Sequence, residues 1–405
     1  RRTVPLLPER GRIFDADGRI LADNERVLTV AIDWEVLRRE SSRTEVFNRV
    51  SGWVGVPVEE MERRFDSNFY SPFLPMPVAE DIDERTAATL LERVVDLPGV
   101  HILEESRRVY PYAPLASHVV GYMGSLTAET LDSYLEQGYY RNERVGQFGI
   151  ELSMERELHG EWGYVTYEVD KLNQIVREVE RVPAVNGNDI QLTIDLDQQQ
   201  YAEQALQSQL RLRRQATARN GLDPETDFEE RFFPEYPEEV PFKAPAGAVV
   251  VKNWENGHIV ALASYPTFDN RWFEADLGDG KFEQLFPAVD EFGEPIDPDE
   301  SILVNRAIQG RYNLGSTFKP FTAYAALSTE LMGVNSYYVD EGTYRMTSID
   351  QSRCNSGLVR CVFKNATCSG TGRPCVYGPV DVETALAVSS DAFFYRIGEE
   401  IMVQN

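Results

Sequence analysis

Apolar and polar positions alternate, or recur at helical spacing, through the first 183 residues, which predicts mixed α and β structure there. Short apolar runs at residues 13–14 and 20–22 flank Asp17-Gly18, a pair typical of a tight turn between antiparallel strands. Residues 59–65 and 83–95 have apolar side chains at helical spacing, with Glu and Arg between them.

The same patterns predict a second region after residue 183. Residues 190–194 read as a strand, and residues 197–212 as a long amphipathic helix. Two apolar runs, 247–252 and 259–265, are separated by Asn256-Gly257, which predicts a β-hairpin. Strands and helices in both regions indicate an α+β fold class.

Negative charge dominates the composition and argues against one class of partner. The 405 residues include 66 Asp and Glu against 40 Lys and Arg, a formal net charge of −26. Such a field repels phosphate backbones, so we expect no nucleic-acid partner and interpret the acidity as a solvated surface. Residues 220–245 and 276–299 are predicted to be acidic surface loops.

The chain contains no run of 18 apolar residues and opens at Arg1 without an initiator Met, so we expect its natural N-terminus to be missing. Four cysteines, Cys354, Cys361, Cys368 and Cys375, are spaced by seven residues in one short stretch. They predict two local disulfides formed in an oxidising compartment, with three pairings open. A four-thiolate zinc site is one alternative, although close Cys-x-x-Cys pairs are absent, and free thiols are the other.

The strongest chemical signal is the segment Gly315-Ser316-Thr317-Phe318-Lys319-Pro320. Proline is tolerated only in the first turn of a helix, so the residues after it predict a helix beginning at about Ser316 or Thr317. Residues three apart share a helix face, which lets the Ser316 hydroxyl meet the Lys319 amine. The positive helix end favours a neutral amine and a developing alkoxide, so Ser316 is the predicted nucleophile and Lys319 its base.

A second polar cluster, Ser389 and Asp391, precedes the apolar residues of another predicted helix. In a cleft this pair would relay protons to Lys319 and hold a substrate amide. Each cluster also has a structural interpretation, because Ser or Asp before a helix is an ordinary cap and a lysine is ordinary on a surface. The occurrence of both clusters in this order favours catalysis.

Other chemistries have no pattern behind them. The four histidines are scattered without metal-type spacing, and Gly-rich nucleotide loops are absent. We therefore predict no cofactor.

These motifs resemble the class B penicillin-binding proteins of the elongation (rod-shape) type, which are peptidoglycan D,D-transpeptidases. Residues 305–312, leading into Gly315 to Pro320, are similar to the family's active-site block almost word for word. Further similar blocks are spread along the chain at residues 10–22, 118–122, 146–151 and 192–195.

The resemblance implies an elongated, non-catalytic pedestal (dimerisation-like) domain over residues 1–183 and a transpeptidase domain over 184–405, with helices on an antiparallel sheet. It implies that stem peptides of peptidoglycan, and likewise β-lactams, acylate Ser316. Lys319 would be the general base, Ser389 would assist proton transfer, and Asp391, where many relatives have Asn, would bind substrate.

The resemblance also implies a bacterial cytoplasmic (inner) membrane protein with an extracytoplasmic catalytic part. Its single N-terminal anchor is absent from this chain, and its partner would be a membrane SEDS-type glycan polymerase. The family's third motif, Lys-Thr-Gly or Lys-Ser-Gly, appears nowhere, so we expect a polypeptide ending at Asn405 to be inactive. Two rivals are a β-lactamase or β-lactam sensor, against which the long pedestal argues, and a non-catalytic scaffold that activates a glycan polymerase.

Overall fold

The computed structural model describes residues 2–38, 40–66, 75–93, 97, 99–141, 143–169, 175–215, 244–274, 281, 285, 301–355, 359–366, 368 and 373–404. These residues divide into two compact units, the first built on 2–212 and 244–310 and the second on 311–404. The two predicted acidic loops lie almost entirely outside the described residues. Within the described part, no helix is long and apolar enough to cross a membrane.

The first unit combines helices of 4 to 20 residues with mainly antiparallel strands. Its strands are β1 (Arg2–Leu6), β2 (Ile13–Phe14), β3 (Ile20–Ile32), β4 (Met76–Ala79), β5 (Val100–Val109), β6 (Met123–Ser125), β7 (Arg144–Gly146), β8 (Gly163–Val169), β9 (Ile175–Val182), β10 (Ile190–Gln191), β11 (Gly247–Lys252) and β12 (Ile259–Tyr265). Its helices are α1 (Trp34–Leu37), α2 (Glu40–Val54), α3 (Val58–Asp66), α4 (Glu84–Arg93), α5 (Ser117–Val120), α6 (Leu131–Glu136), α7 (Gly149–Ser153), α8 (Glu155–His159), α9 (Leu196–Gln215) and α10 (Arg306–Gln309), with a 3-10 helix at Asn270–Glu274.

Strand β3 organises the first unit. A five-stranded sheet has the order β10-β2-β3-β4, with β5 also paired to β3, and a three-stranded sheet has the order β1-β8-β9. All these pairs are antiparallel except β10 with β2. Leu21 and Ala22 of β3 enter one buried apolar cluster, while Val30 and Ile32 enter another. One long strand therefore connects two cores.

Several predicted elements of the first unit are confirmed. Strands β11 and β12 form the predicted hairpin, and Gly257 at its turn has a φ of +78°, as the Asn-Gly pair requires. Gly18, in the turn between β2 and β3, has a φ of +86°. Helices α3 and α4 occupy the segments predicted to be helical.

The predicted strand over 190–194 is wrong in length. Strand β10 ends at Gln191, and α9 begins at Leu196. The Asp195 carboxylate accepts hydrogen bonds from the backbone N–H of Asp197 at 2.9 Å and of Gln198 at 3.0 Å. Asp195 thus caps the first turn of α9. Between β10 and this cap, the N–H of Leu192 still bonds to Phe14 O and the N–H of Ala16 to Ile194 O, each at 2.8 Å.

Among its described residues, the second unit has short two-stranded pairs and four helices. Its strands are β13 (Tyr338–Asp340), β14 (Thr343–Arg345), β15 (Val362–Lys364) and β16 (Gly378–Val380), paired as β13 with β16 and β14 with β15. Its helices are α11 (Lys319–Ser328), α12 (Gln351–Asn355), α13 (Val382–Ala387) and α14 (Asp391–Gln404), with a 3-10 turn at Gly315–Phe318. Its buried core lies between α11, α13 and α14, around Ala326, Ala385 and Phe393.

The four cysteines form two local disulfides in the second unit. Cys354 is bonded to Cys361, and Cys368 to Cys375. This selects one of the three open pairings and leaves no thiolate for the zinc alternative. Among the residues that the structure describes, no group of His, Cys, Asp or Glu side chains is arranged to hold a metal ion.

A buried carboxylate joins separate segments of the first unit. The Glu151 carboxylate accepts from Arg108 Nε at 2.7 Å and from Arg10 Nε at 2.8 Å, and its side chain is fully buried. Arg10 also contacts Glu155 at 2.7 Å. The blocks at residues 10–22 and 146–151, which the sequence places far apart, therefore meet through paired charges.

We expect Glu151→Ala to destabilise the first unit by about 3–5 kcal/mol, because the substitution leaves two buried guanidinium groups without their shared partner. Urea unfolding followed by intrinsic fluorescence measures the loss. Glu178→Ala is the control, because Glu178 pairs with Arg181 at the surface and its removal should leave the unfolding curve unchanged. Equal curves for wild type and Glu151→Ala would contradict the prediction.

Glu274 gives the first unit a pH dependence. Burial raises the pKa of this carboxyl from 4.5 to about 7, although Arg144, 3.3 Å away, acts in the opposite direction. The folded state therefore binds a proton that the unfolded state has lost, so the free energy of unfolding falls as pH rises from 4.5 to 7.

Glu274→Gln cannot titrate, so its stability should fall less across that window than the stability of wild type. A window of about 2.5 pH units at about 1.4 kcal/mol per unit sets an upper limit of about 3.5 kcal/mol on the difference. Unfolding free energies measured at several pH values test this, with Glu255→Gln, on the exposed hairpin turn, as control. Parallel profiles of unfolding free energy against pH for wild type and Glu274→Gln would contradict the prediction.

Candidate active site

Ser316 lies in the 3-10 turn Gly315–Phe318, which leads directly into α11. Helical geometry thus begins one residue before the predicted start, whereas α-helical bonding begins only at Lys319. Pro320 explains the difference, since it has no N–H to donate to the Ser316 carbonyl four residues back. The N–H of Lys319 bonds to that carbonyl instead, which is the i→i+3 bond of a 3-10 turn.

The second cluster contains the Ser389-Ser390 joint, which lies between Val388, the C-cap residue of α13, and Asp391, the first residue of α14. The N–H of Ser390 bonds to Ala385 O at 2.9 Å and that of Ser389 to Leu386 O at 3.2 Å, the two bonds of a Schellman motif. Ser389 has a φ of +57°, the left-handed position that such motifs usually give to Gly. A side chain there costs about 1–2 kcal/mol, so a serine at this position indicates that its hydroxyl is used.

Ser390, which the sequence analysis did not identify, has a structural role in this cluster. Its buried Oγ accepts from the N–H of Phe393 at 3.1 Å, three residues on, so Ser390 is the N-cap of α14. The structural interpretation of the sequence expected a Ser or Asp of this cluster to be the cap, without choosing between them. The sequence did carry a signal for this cap, because Ser390 lies three residues before Phe393, the usual spacing between an N-cap and the N–H that it accepts from. With Ser390 as the cap, the side chains of Ser389 and Asp391 are available for other contacts.

The structure brings the four predicted site residues together. Lys319 Nζ lies 2.7 Å from Ser389 O, 3.0 Å from Ser389 Oγ and 2.5 Å from Asp391 Oδ1. Ser389 Oγ lies 3.0 Å from Ser316 Oγ. Among the described residues no hydrogen bond joins Lys319 directly to Ser316, so the expected direct pair is replaced by a chain through Ser389.

Lys319 is more enclosed than Asp391 and Ser316. Its side chain is 11% exposed, against 32% for Asp391, and Ser316 is exposed. An ammonium has three N–H donors, and the three contacts use all of them. The Phe394 ring lies 5.7 Å from Nζ, and the Asp391 carboxylate occupies the first position of α14, where the helix dipole favours a negative charge.

Two further residues support the joint, and no sequence signal identified them. The buried carboxylate of Asp340 accepts hydrogen bonds from Ser390 Oγ and from Asn365 Nδ2, the latter at 2.8 Å to its nearer oxygen. Asn365 Oδ1 accepts from the N–H of Ala392 at 2.8 Å. Asn365 lies between the two disulfides, in the stretch for which the resemblance supplied no match.

Comparison with known proteins gives matches along most of the chain. The family model described as "Penicillin-binding Protein dimerisation domain" matches residues 5–192, and the one described as "Penicillin binding protein transpeptidase domain" matches residues 247–404. The peptidoglycan D,D-transpeptidase MrdA of Escherichia coli (strain K12) is 26% identical over 99% of this chain and 54% of its own length. MrdA of Acinetobacter baumannii is also 26% identical, over 99% of this chain and 50% of its own length.

A solved structure shows the same fold. Penicillin-binding protein PBP2 of Helicobacter pylori, in its complex with MreC, superposes with a TM-score of 0.71 at 21% identity, over 98% of this chain and 62% of that one. The chain thus spans about half the length of the curated relatives that it matches. The α+β fold of helices and antiparallel strands agrees with this likeness. Because two successive family models account for most of its length, the chain belongs to the penicillin-binding proteins, with a dimerisation domain followed by a transpeptidase domain.

Proposed function

We propose that the protein is a peptidoglycan D,D-transpeptidase of cell-wall elongation and cell shape, in which Ser316 forms the acyl-enzyme. The observation that carries this proposal is the chain from Lys319 Nζ through Ser389 Oγ to Ser316 Oγ, with 3.0 Å at each step. A serine hydroxyl needs an adjacent base, and this chain supplies one through a relay. The MrdA relatives, named as transpeptidases, support the reaction class.

In the acylation step, Ser316 Oγ attacks the carbonyl carbon of the penultimate D-alanine of a stem peptide. Its proton passes to Ser389 Oγ while Ser389 passes its own proton to Lys319. The C–N bond to the terminal D-alanine then breaks, and the proton returns through Ser389 to the leaving nitrogen. An amine from a second stem peptide then attacks the ester and forms the cross-link. The proton that the amine loses passes through Lys319 and Ser389 to Ser316 Oγ, which is released as a hydroxyl.

The relay requires the hydrogens to point from Ser316 toward Lys319. With Lys319 as an ammonium they point the other way, because Nζ donates to Ser389 Oγ and Ser389 donates to Ser316. A neutral Lys319 accepts from Ser389 Oγ instead, and since hydroxyl hydrogens rotate, the same heavy-atom positions serve both states. The partly exposed Asp391 carboxylate would hold Lys319 and accept from a substrate amide N–H.

The cellular setting follows from the family. We place the catalytic part outside the bacterial cytoplasmic membrane, held by a single N-terminal anchor, with a membrane SEDS-type glycan polymerase as partner. The two disulfides support an oxidising compartment. The H. pylori relative was solved in complex with MreC, which supports a role for such proteins in assemblies.

In the full-length protein, Ser316→Ala should abolish covalent labelling by a fluorescent penicillin, because the acyl bond forms on Ser316 Oγ. Gel fluorescence and intact mass measure the label. Ser328→Ala, an exposed serine at the end of α11, is the control and should label as wild type does. Labelling that survives Ser316→Ala would refute the proposal, and rapid release of the hydrolysed drug would favour a β-lactamase.

Ser389→Gly and Ser389→Ala should separate catalysis from backbone strain. Both variants remove the relay hydroxyl, so the acylation rate constant should fall about 100-fold in each. Only glycine relieves the left-handed backbone, so Ser389→Gly should be more stable than Ser389→Ala by about 1 kcal/mol. Stopped-flow acylation and urea unfolding measure the two effects, and a Gly variant that acylates at the wild-type rate would exclude the relay.

A further inference from the structure

The buried carboxylate of Asp340 fixes one side of the Ser389-Ser390 joint. It is fully buried and accepts from Gly342 N at 2.7 Å, from Asn365 Nδ2 at 2.8 Å and 2.9 Å, and from Ser390 Oγ. Within the part of the chain that the structure describes, no basic side chain forms an ion pair with it. A buried carboxylate that depends on uncharged donors needs each of them in place, so it constrains where Ser390 can lie.

Asn365 connects this carboxylate to the first turn of α14. Its Nδ2 donates to Asp340 and, at 2.9 Å, to Cys375 O, while its Oδ1 accepts from the N–H of Ala392. That N–H belongs to the residue directly after Asp391 and would otherwise lack a partner. The amide side chain of Asn365 can therefore donate to the carboxylate and accept from the backbone at once.

The Cys368–Cys375 disulfide is connected to Asn365 by hydrogen bonds. Cys375 supplies the carbonyl that Asn365 contacts, and its N–H bonds to Ala366 O at 3.0 Å, next to Asn365. The Cys354–Cys361 disulfide differs, since among the described residues it has no hydrogen bond to Asn365. Its Cys361 carbonyl accepts instead from the N–H of Met346 at 2.9 Å.

We infer that Asp340 and Asn365 are positioning residues for Ser389 and Asp391, and that the Cys368–Cys375 disulfide supports catalysis through Asn365. This inference rests on the proposed function of Ser316. Neither residue contacts Ser316 or Lys319, so both act through Ser390 and the start of α14. A relay of hydrogen bonds tolerates little displacement, and a misplacement of about 1 Å costs about 100-fold in rate.

The test is Asn365→Ala in the full-length protein, with acylation by a β-lactam followed by stopped-flow fluorescence and intact mass. The first-order acylation constant should fall about 10- to 100-fold, while the fraction of protein finally acylated stays at the wild-type level. A merely structural role predicts the reverse, a reduced acylated fraction that reacts at the wild-type rate. Asn355→Ala, an exposed asparagine on α12, is the matched control and should react within about twofold of wild type.

Asp340→Asn provides a second variant of nearly the same shape. Its amide presents a donor where Ser390 Oγ and Asn365 Nδ2 need an acceptor, so acylation should slow as in Asn365→Ala.

Removal of the Cys368–Cys375 disulfide in the double variant Cys368→Ser/Cys375→Ser should also slow acylation. Its effect should be non-additive with Asn365→Ala, because both changes disturb one set of contacts. The double variant Cys354→Ser/Cys361→Ser should combine additively with Asn365→Ala.

Wild-type acylation constants in Asn365→Ala and in Asp340→Asn would overturn the inference while Ser316-dependent labelling still supports the proposed function. Additive effects of Asn365→Ala and Cys368→Ser/Cys375→Ser would overturn the part assigned to the disulfide. A wild-type protein that takes no label would overturn the proposed function and this inference together.

Discussion

The site depends on the backbone of one residue, Ser389, which adopts a left-handed conformation between two helices. Helix α13 ends at Ala387 and α14 begins at Asp391, so only three residues separate them, and glycine most easily adopts the left-handed conformation that such a connection requires. A serine at this position is strained, but its hydroxyl lies between Lys319 and Ser316. The strain is tolerated because Lys319 bonds to both the carbonyl and the hydroxyl of Ser389, while buried contacts fix Ser390.

The two units stabilise buried carboxylates in opposite ways. Glu151 lies between two guanidinium groups, so it is held mainly by charge, which acts over several ångströms and in all directions. Asp340 is held by an amide, a hydroxyl and a backbone N–H, whose hydrogen bonds weaken steeply when they are bent. The first arrangement suits a domain that must stay assembled, and the second suits a site where small displacements matter.

The sequence predicted the parts of the site that follow from local rules. The spacing of Ser316, Lys319 and Pro320 predicted the helix start to within one residue and placed Ser316 and Lys319, the proposed nucleophile and base, at one site. The order of contacts could not be predicted from the same local rules. A shared helix face implied a direct Ser316–Lys319 pair, whereas the packing of α11 against α14 inserts Ser389 between them. Asn365 had no local signal, since its partners come from segments 25 residues before and 27 residues after it.

The amine of Lys319 stabilises the joint and is also the proposed base. Two of its three contacts go to Ser389 and the third to Asp391, so it ties α11 to the joint in the same bonds through which a proton would move. Either cluster by itself does not reveal a residue with both roles. Each cluster taken alone therefore also had an ordinary structural interpretation. Their coincidence at one amine supports the catalytic interpretation that we propose, because a capping serine and a surface lysine would have no reason to meet 70 residues apart.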